Sequence, residues 1–159
     1  MQTISTTAIL LAAALGILTG CGSDPAGAGD VACDDFLLQY GAAAGDTVTT
    51  EQGLRYIDVS PGSGTAAAQG TTVDVNYSGY LLNGTQFDTS CPTDAPVFRV
   101  TLGASQVIPG FDLGIRGMRP DGVRRIIVPP ALGYGNVPNG PIPANSTLVF
   151  DLQLVRLVE

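Results

Sequence analysis

Val73-Asp74-Val75-Asn76-Tyr77-Ser78, followed by Asn83-Gly84 and then Thr85-Gln86-Phe87, is the stretch from which the fold is read. Apolar Val73, Val75 and Tyr77 alternate with polar Asp74, Asn76 and Ser78, the period of a strand buried on one face. Asn83-Gly84 is a strong hairpin signal, because both residues tolerate positive φ; it turns this strand into one containing Phe87. Phe98 to Leu102 and Val123 to Val128 are further strand candidates. Towards the C-terminus Leu148, Phe150, Leu152 and Leu154 face one way, with Asp151, Gln153 and Arg156 among the other positions. The spacing predicts one internal helix, Phe111 to Met118, with Phe111, Ile115 and Met118 at i, i+4 and i+7. Gly114 and Gly117 weaken it by about 1 kcal/mol each relative to Ala. Several antiparallel strands around one short helix make an α+β domain, with a cavity where helix and sheet face each other.

Composition narrows the chemistry. The chain has 159 residues, room for one domain plus an appendage. Charged residues make up 13%, against 21 Gly and 11 Pro, so turns are frequent and helices few. The net charge of −7 argues against nucleic acid as a partner, because phosphates demand a basic face. Ordinary solubility accounts for that charge. There is no His, which removes Ser-His-Asp, Cys-His and His-based metal chemistry. Gly133-Tyr134-Gly135 is not a phosphate loop, lacking both the Lys and the strand-to-helix setting. The acids are scattered, with no spacing that singles out a pair. Neither a metal nor another cofactor is expected. Yet seven aromatic residues, Tyr77, Tyr80, Phe87, Phe98, Phe111, Tyr134 and Phe150, fall one or two per element between Tyr77 and Phe150. They suggest an aromatic-lined cavity, whose reaction must need little proton transfer.

Residues 1–20 read as an export signal. Ala8 to Leu18 is an apolar run of about eleven residues, too short for a hydrocarbon core of ~30 Å, and it leads into Leu18-Thr19-Gly20-Cys21. That ending resembles the lipobox of bacterial lipoproteins. The resemblance implies acylation of Cys21 and an exported protein, lipid-anchored on the extracytoplasmic side of the bacterial cell envelope. Met1 to Thr7 departs from the pattern by carrying no Lys or Arg. The other reading is an ordinary cleaved signal followed by a free thiol.

Residues 21–50 follow as a tether and short N-terminal segment. Gly22 to Asp30 has little that packs and reaches at most ~3.3–3.6 Å per residue. Val31 to Tyr40 is a candidate short helix, with Phe36, Leu37 and Tyr40 on one side, and Gly41 to Asp46 is a spacer. The globular domain is placed at 51–159. If Cys21 carries lipid, Cys33 and Cys91 remain as an even pair in an exported chain. Bridged, they would close a loop of about sixty residues, worth ~4 kcal/mol in the chain-entropy picture. The alternative is two unpaired thiols.

Five motifs in order are more specific than any one of these signals. Val75-Asn76-Tyr77-Ser78-Gly79, Gly84-Thr85-Gln86-Phe87-Asp88, Val107-Ile108-Pro109-Gly110-Phe111, Gly133-Tyr134-Gly135 and Ser146-Thr147-Leu148-Val149-Phe150-Asp151 resemble the successive motifs of FKBP-type peptidyl-prolyl isomerases, from about Gln52 to Glu159. The resemblance implies an antiparallel sheet half-wrapped around one short helix, with the substrate proline in the gap. It implies Phe111 as the pocket floor and Tyr77, Phe87, Phe98, Val107, Ile108 and Phe150 as walls, with Ile142 on a flap loop. The Ile108 N–H and the Tyr134 hydroxyl would hold substrate carbonyls, and Asp88 would accept hydrogen bonds at the edge. Implied partners are proline-containing polypeptides, with macrolides as inhibitors; nothing signals a dimer, so a monomer is expected.

Taken singly, Tyr77 and Phe150 read as core residues of an apolar strand face, and Asp88 as a turn or surface residue. Their joint register makes them a site. The chain departs from the family where its members commonly place Trp at the floor, here Phe111. An Arg that often partners the Asp88 equivalent is missing, with Cys91-Pro92-Thr93-Asp94 in that stretch. The flap, Asn136 to Pro143, lacks the His sometimes found there. An isomerase is the expected function, and a non-catalytic tethered chaperone using the same pocket is the alternative.

Overall fold

The structure, a computed structural model, describes residues 46–90 and 97–158. The signal, the three cysteines and the helix candidate at 31–40 therefore lie outside the described residues. Seven strands are seen: β1 (Val48–Thr49), β2 (Arg55–Ser60), β3 (Thr72–Leu81), β4 (Gln86–Thr89), β5 (Phe98–Thr101), β6 (Gly122–Val128) and β7 (Leu148–Val158). Among the described residues one helix, α1 (Pro109–Ile115), joins β5 to β6, and one 3-10 turn covers Pro130–Leu132. All the pairings are antiparallel, in the order β1-β2-β6-β7-β3-β4. β5 shares the outer edge of β3 with β4, pairing at Thr72 to Val75 while β4 pairs at Ser78 to Tyr80. This is the α+β sheet-and-helix architecture that the sequence predicts.

Period-two alternation explains the core. Val73 and Val75 on β3, Ile126 and Val128 on β6, and Leu148, Leu152 and Leu154 on β7 are fully buried on one face. Ile115 and Met118 close over them from the helix side. The hairpin turns through Leu82, Asn83 and Gly84. Gly84 takes φ +86° and the Asn83 Oδ1 accepts the Thr85 N–H at 3.0 Å, the three-residue loop with a left-handed glycine. The opposite face of the sheet differs from the expected solvated one. Asp74, Ser78 and Asp151 are buried there, because arginines from neighbouring strands lie over the two carboxylates and hydrogen-bond them.

The helix also differs from its predicted span. It begins at Pro109, whose fixed φ and missing N–H suit a first helical position, and it ends at Ile115. Gly117 adopts φ +80°, which stops the helix before Met118. Met118 is nevertheless buried, held by the Ala67 N–H donating to its carbonyl at 2.8 Å. The Arg124 Nη1 donates to the carbonyls of Gly114 at 3.0 Å and Arg116 at 3.1 Å, satisfying acceptors that a helix end leaves open. Its guanidinium is fixed in turn by Asp58 and lies 4.1 Å from the Tyr56 ring centroid.

Candidate active site

Two glycines set α1 close against β6. A Cβ on Gly114 would stand 2.8 Å from Ile126 Cδ1, and one on Gly110 would overlap Val128. The glycines that weaken the helix by propensity therefore let it dock. Docked there, α1 directs Phe111 toward β3 and β7, where the ring meets three others edge-on. Centroid distances are 5.3 Å to Tyr77, 5.4 Å to Phe150 and 6.1 Å to Phe98, with interplanar angles of 83°, 84° and 87°. These are favoured aromatic geometries, and each fixes the neighbouring ring. Above the cluster opens a cavity of about 260 Å³ lined by Tyr77, Asp88, Phe98, Gln106, Val107, Ile108, Phe111, Tyr134 and Phe150.

Polar groups occur at the rim. The Tyr77 hydroxyl donates to the Asp88 Oδ2 at 2.8 Å, and the Asp88 Oδ1 accepts the Thr89 N–H at 2.9 Å. Burial, and then the hydrogen bond to Asp88, push the Tyr77 phenol well above its ordinary pKa, so it remains a neutral donor. The Ile108 N–H and the Tyr134 hydroxyl have no hydrogen-bond partner among the described residues. Tyr134 is 38% exposed, on the loop after the 3-10 turn, where the Asn145 N–H donates to the Gly135 carbonyl at 2.7 Å. A ligand entering the cavity thus meets an apolar floor and two unpaired donors.

Of the pocket residues named from the sequence, the structure brings together around this cavity all except Phe87 and Ile142. Phe87, on edge strand β4, is not among the residues lining this cavity; its ring packs edge-on against Phe150, with centroids 5.5 Å apart at 90°. Gly79 makes room for it, since a Cβ there would come within 2.7 Å of the Phe87 ring. Ile142 is buried in the core cluster beneath the flap, where Asn139 and Ile142 exchange backbone hydrogen bonds of 2.9 Å. Tyr80 leaves the aromatic set altogether. It follows Tyr77 by three positions on a strand, so it lies on the other face, in a shallow depression with Leu82, Arg125 and Val149. Gln106 was not foreseen. Its Oε1 accepts the Thr101 N–H at 2.8 Å, and in the sequence only its place beside Val107 marks it.

Comparison with known proteins identifies the family and the fold. The profile of the family described as FKBP-type peptidyl-prolyl cis-trans isomerase matches residues 63–155. The chain is 40% identical over 108 residues to an FK506-binding protein of Neisseria meningitidis, a match covering 67% of this chain and 98% of the relative. It is 44% identical over 111 residues to FK506-binding protein 3 of Candida albicans, covering 70% of this chain but only 26% of that longer protein. Among solved structures, FkpA from Escherichia coli superposes with a TM-score of 0.65 at 35% identity, covering 78% of this chain and 56% of FkpA. AtFKBP13 gives 0.66 at 30%, covering 71% and 99% respectively. With its profile, its relatives and its fold in agreement, the chain belongs to the FKBP-type peptidyl-prolyl cis-trans isomerase family.

Proposed function

We propose that the cavity over Phe111 binds the proline of exported polypeptides and accelerates cis–trans exchange of the preceding peptide bond. The observation that carries this reading is a cavity floored by aromatic rings with two unpaired donors, the Ile108 N–H and the Tyr134 hydroxyl, at its rim. The prolyl C–N bond is partly double, and its resonance separates charge across the amide. Twisting the bond breaks that resonance, so the twisted state is less polar than either planar isomer. Water favours the planar states, whereas a dry aromatic wall favours the twisted one. The two donors fix the carbonyls on either side, which turns rotation into motion of one bond. No acid or base is required, consistent with a chain lacking His. The uncatalysed barrier is ~20 kcal/mol, and lowering it by roughly 5 kcal/mol gives a few thousand-fold acceleration.

The test is a protease-free NMR exchange measurement on Xaa-Pro peptides. We expect wild-type protein to broaden the cis and trans resonances and the double variant Phe150→Ala, Asp88→Ala to lose most of that effect. Wild type no faster than the double variant would leave only a non-catalytic binding role. Macrolides are proposed to occupy the same cavity.

We further propose that the domain, residues 51–159, hangs from a membrane by lipid on Cys21 and that Cys33 is bridged to Cys91. Support comes from the residues themselves: the apolar run before Leu18-Thr19-Gly20-Cys21, and the even cysteine pair that remains. Mass measurement of the mature, non-reduced chain tests both. A diacylglycerol-sized increment at Cys21 and no alkylatable thiol are expected; an unmodified Cys21, or two free thiols, would refute the respective half.

A further inference from the structure

We infer that Asp88 makes this site selective for polypeptides carrying a lysine or arginine next to the proline. The inference rests on the isomerase reading above and adds a charge rule to it. Among the described residues Asp88 is the one charged side chain lining the cavity, and it is exposed at the rim. Both of its oxygens accept from neutral donors, the Tyr77 hydroxyl and the Thr89 N–H. No ion pair among the described residues involves it.

The chain has little left to neutralise it with. Its seven cationic side chains are all Arg, with no Lys. Arg99 and Arg156 hold Asp74, Arg116 holds Asp112, Arg124 holds Asp58 and Arg125 holds Asp151. Arg119 donates to the Gly64 carbonyl. Arg55 lies on β2, separated by β6, β7 and β3 from the strand that carries Asp88. Residues 91–96 contain no cation in their sequence. The rim therefore presents a carboxylate without a countercharge from its own chain.

A peptide whose proline fills the cavity places its flanking side chains over that rim. A cationic neighbour gains an attraction there that a carboxylate neighbour pays as repulsion, which is how a surface charge selects between partners. In a solvated setting a pair ~4 Å apart shifts the equilibrium about fivefold, and salt screens it.

The experiment compares kcat/KM, by NMR exchange at low salt, for short peptides with Lys, Leu or Glu immediately before or after a single proline. Expected is a preference of about fivefold for Lys over Glu on at least one side, shrinking at high salt and lost in Asp88→Asn. Glu51→Gln, which removes the same charge from the exposed β1–β2 turn, should keep the preference. Equal rates for Lys and Glu on both sides of proline, with the Leu peptide turned over, would overturn the inference and leave the isomerase reading intact. So would a preference unaffected by salt, or one that survives Asp88→Asn. Turnover of none of the three peptides would sink the isomerase reading, and this inference with it.

Discussion

Gly110 decides how closely α1 approaches the sheet, and so where Phe111 lies. A Cβ at Gly110 would overlap Val128 Cγ1 and stand 3.0 Å from Cγ2 and 3.2 Å from the Leu132 carbonyl oxygen. Val128 is fully buried, and its branched side chain has restricted freedom to turn aside. Helix propensity alone favours Ala over Gly by about 1 kcal/mol, so on that ground Gly110→Ala should stabilise. Over-packing a filled core costs roughly 1–3 kcal/mol, and backbone and branched-chain neighbours put this site toward the upper end. We therefore expect Gly110→Ala to lower the unfolding free energy by about 1–2 kcal/mol net in urea titrations. In a Val128→Ala background, where the conflicting methyls are gone, the same substitution should cost much less. Equal cost in both backgrounds would show that Val128 is not what holds Gly110 small.

Elements differ in how openly their sequences declare them. β3, β6 and β7 were legible because each has one apolar face turned to the core, so alternation survives in the sequence as Val73-Val75-Tyr77 and Leu148-Phe150-Leu152-Leu154. β2 has no such signature. Its residues Tyr56, Ile57, Val59 and Ser60 are all half-buried, and its pairing with β6 shifts register between Asp58 and Ser60. The position of α1 was misread by following apolar spacing past its true end. Met118 continues the apolar pattern, yet Gly117 at φ +80° has already turned the chain, so burial was right where secondary structure was wrong. For the site, spacing alone could not separate Phe111 or Phe150 from core residues, since both are nearly as buried as their aliphatic neighbours. The order of five motifs distinguished them. That order is silent about reach: it does not show that Phe87 packs edge-on against Phe150 outside the cavity lining, or that Ile142 is buried in the core cluster.

Across the whole molecule, charge and register are one device. Asp74 lies opposite Arg99 on β5 and Arg156 on β7, Asp58 opposite Arg124, and Asp151 opposite Arg125, so every cross-strand ion pair is a directly facing pair. A slip of one residue would move each side chain to the wrong face and separate all of them. Asp74 is the centre of this arrangement, its side chain fully buried between arginines that arrive from both sides of β3. The hydrogen bond from Arg99 holds its carboxyl below the usual range, against the opposing push of burial, and Arg156 adds to the lowering. A carboxyl whose folded pKa lies below its unfolded value of about 3.9 stabilises the fold above that value, and the contribution fades as pH falls through the folded pKa. Asp74→Asn keeps the shape and removes the charge at every pH. Its deficit relative to wild type should therefore be full at neutral pH and narrow progressively on acidification below about pH 4. Urea unfolding of both proteins along a pH series measures that gap. A gap that stays constant into strong acid would mean that Asp74 contributes through packing and hydrogen-bond geometry rather than through its charge.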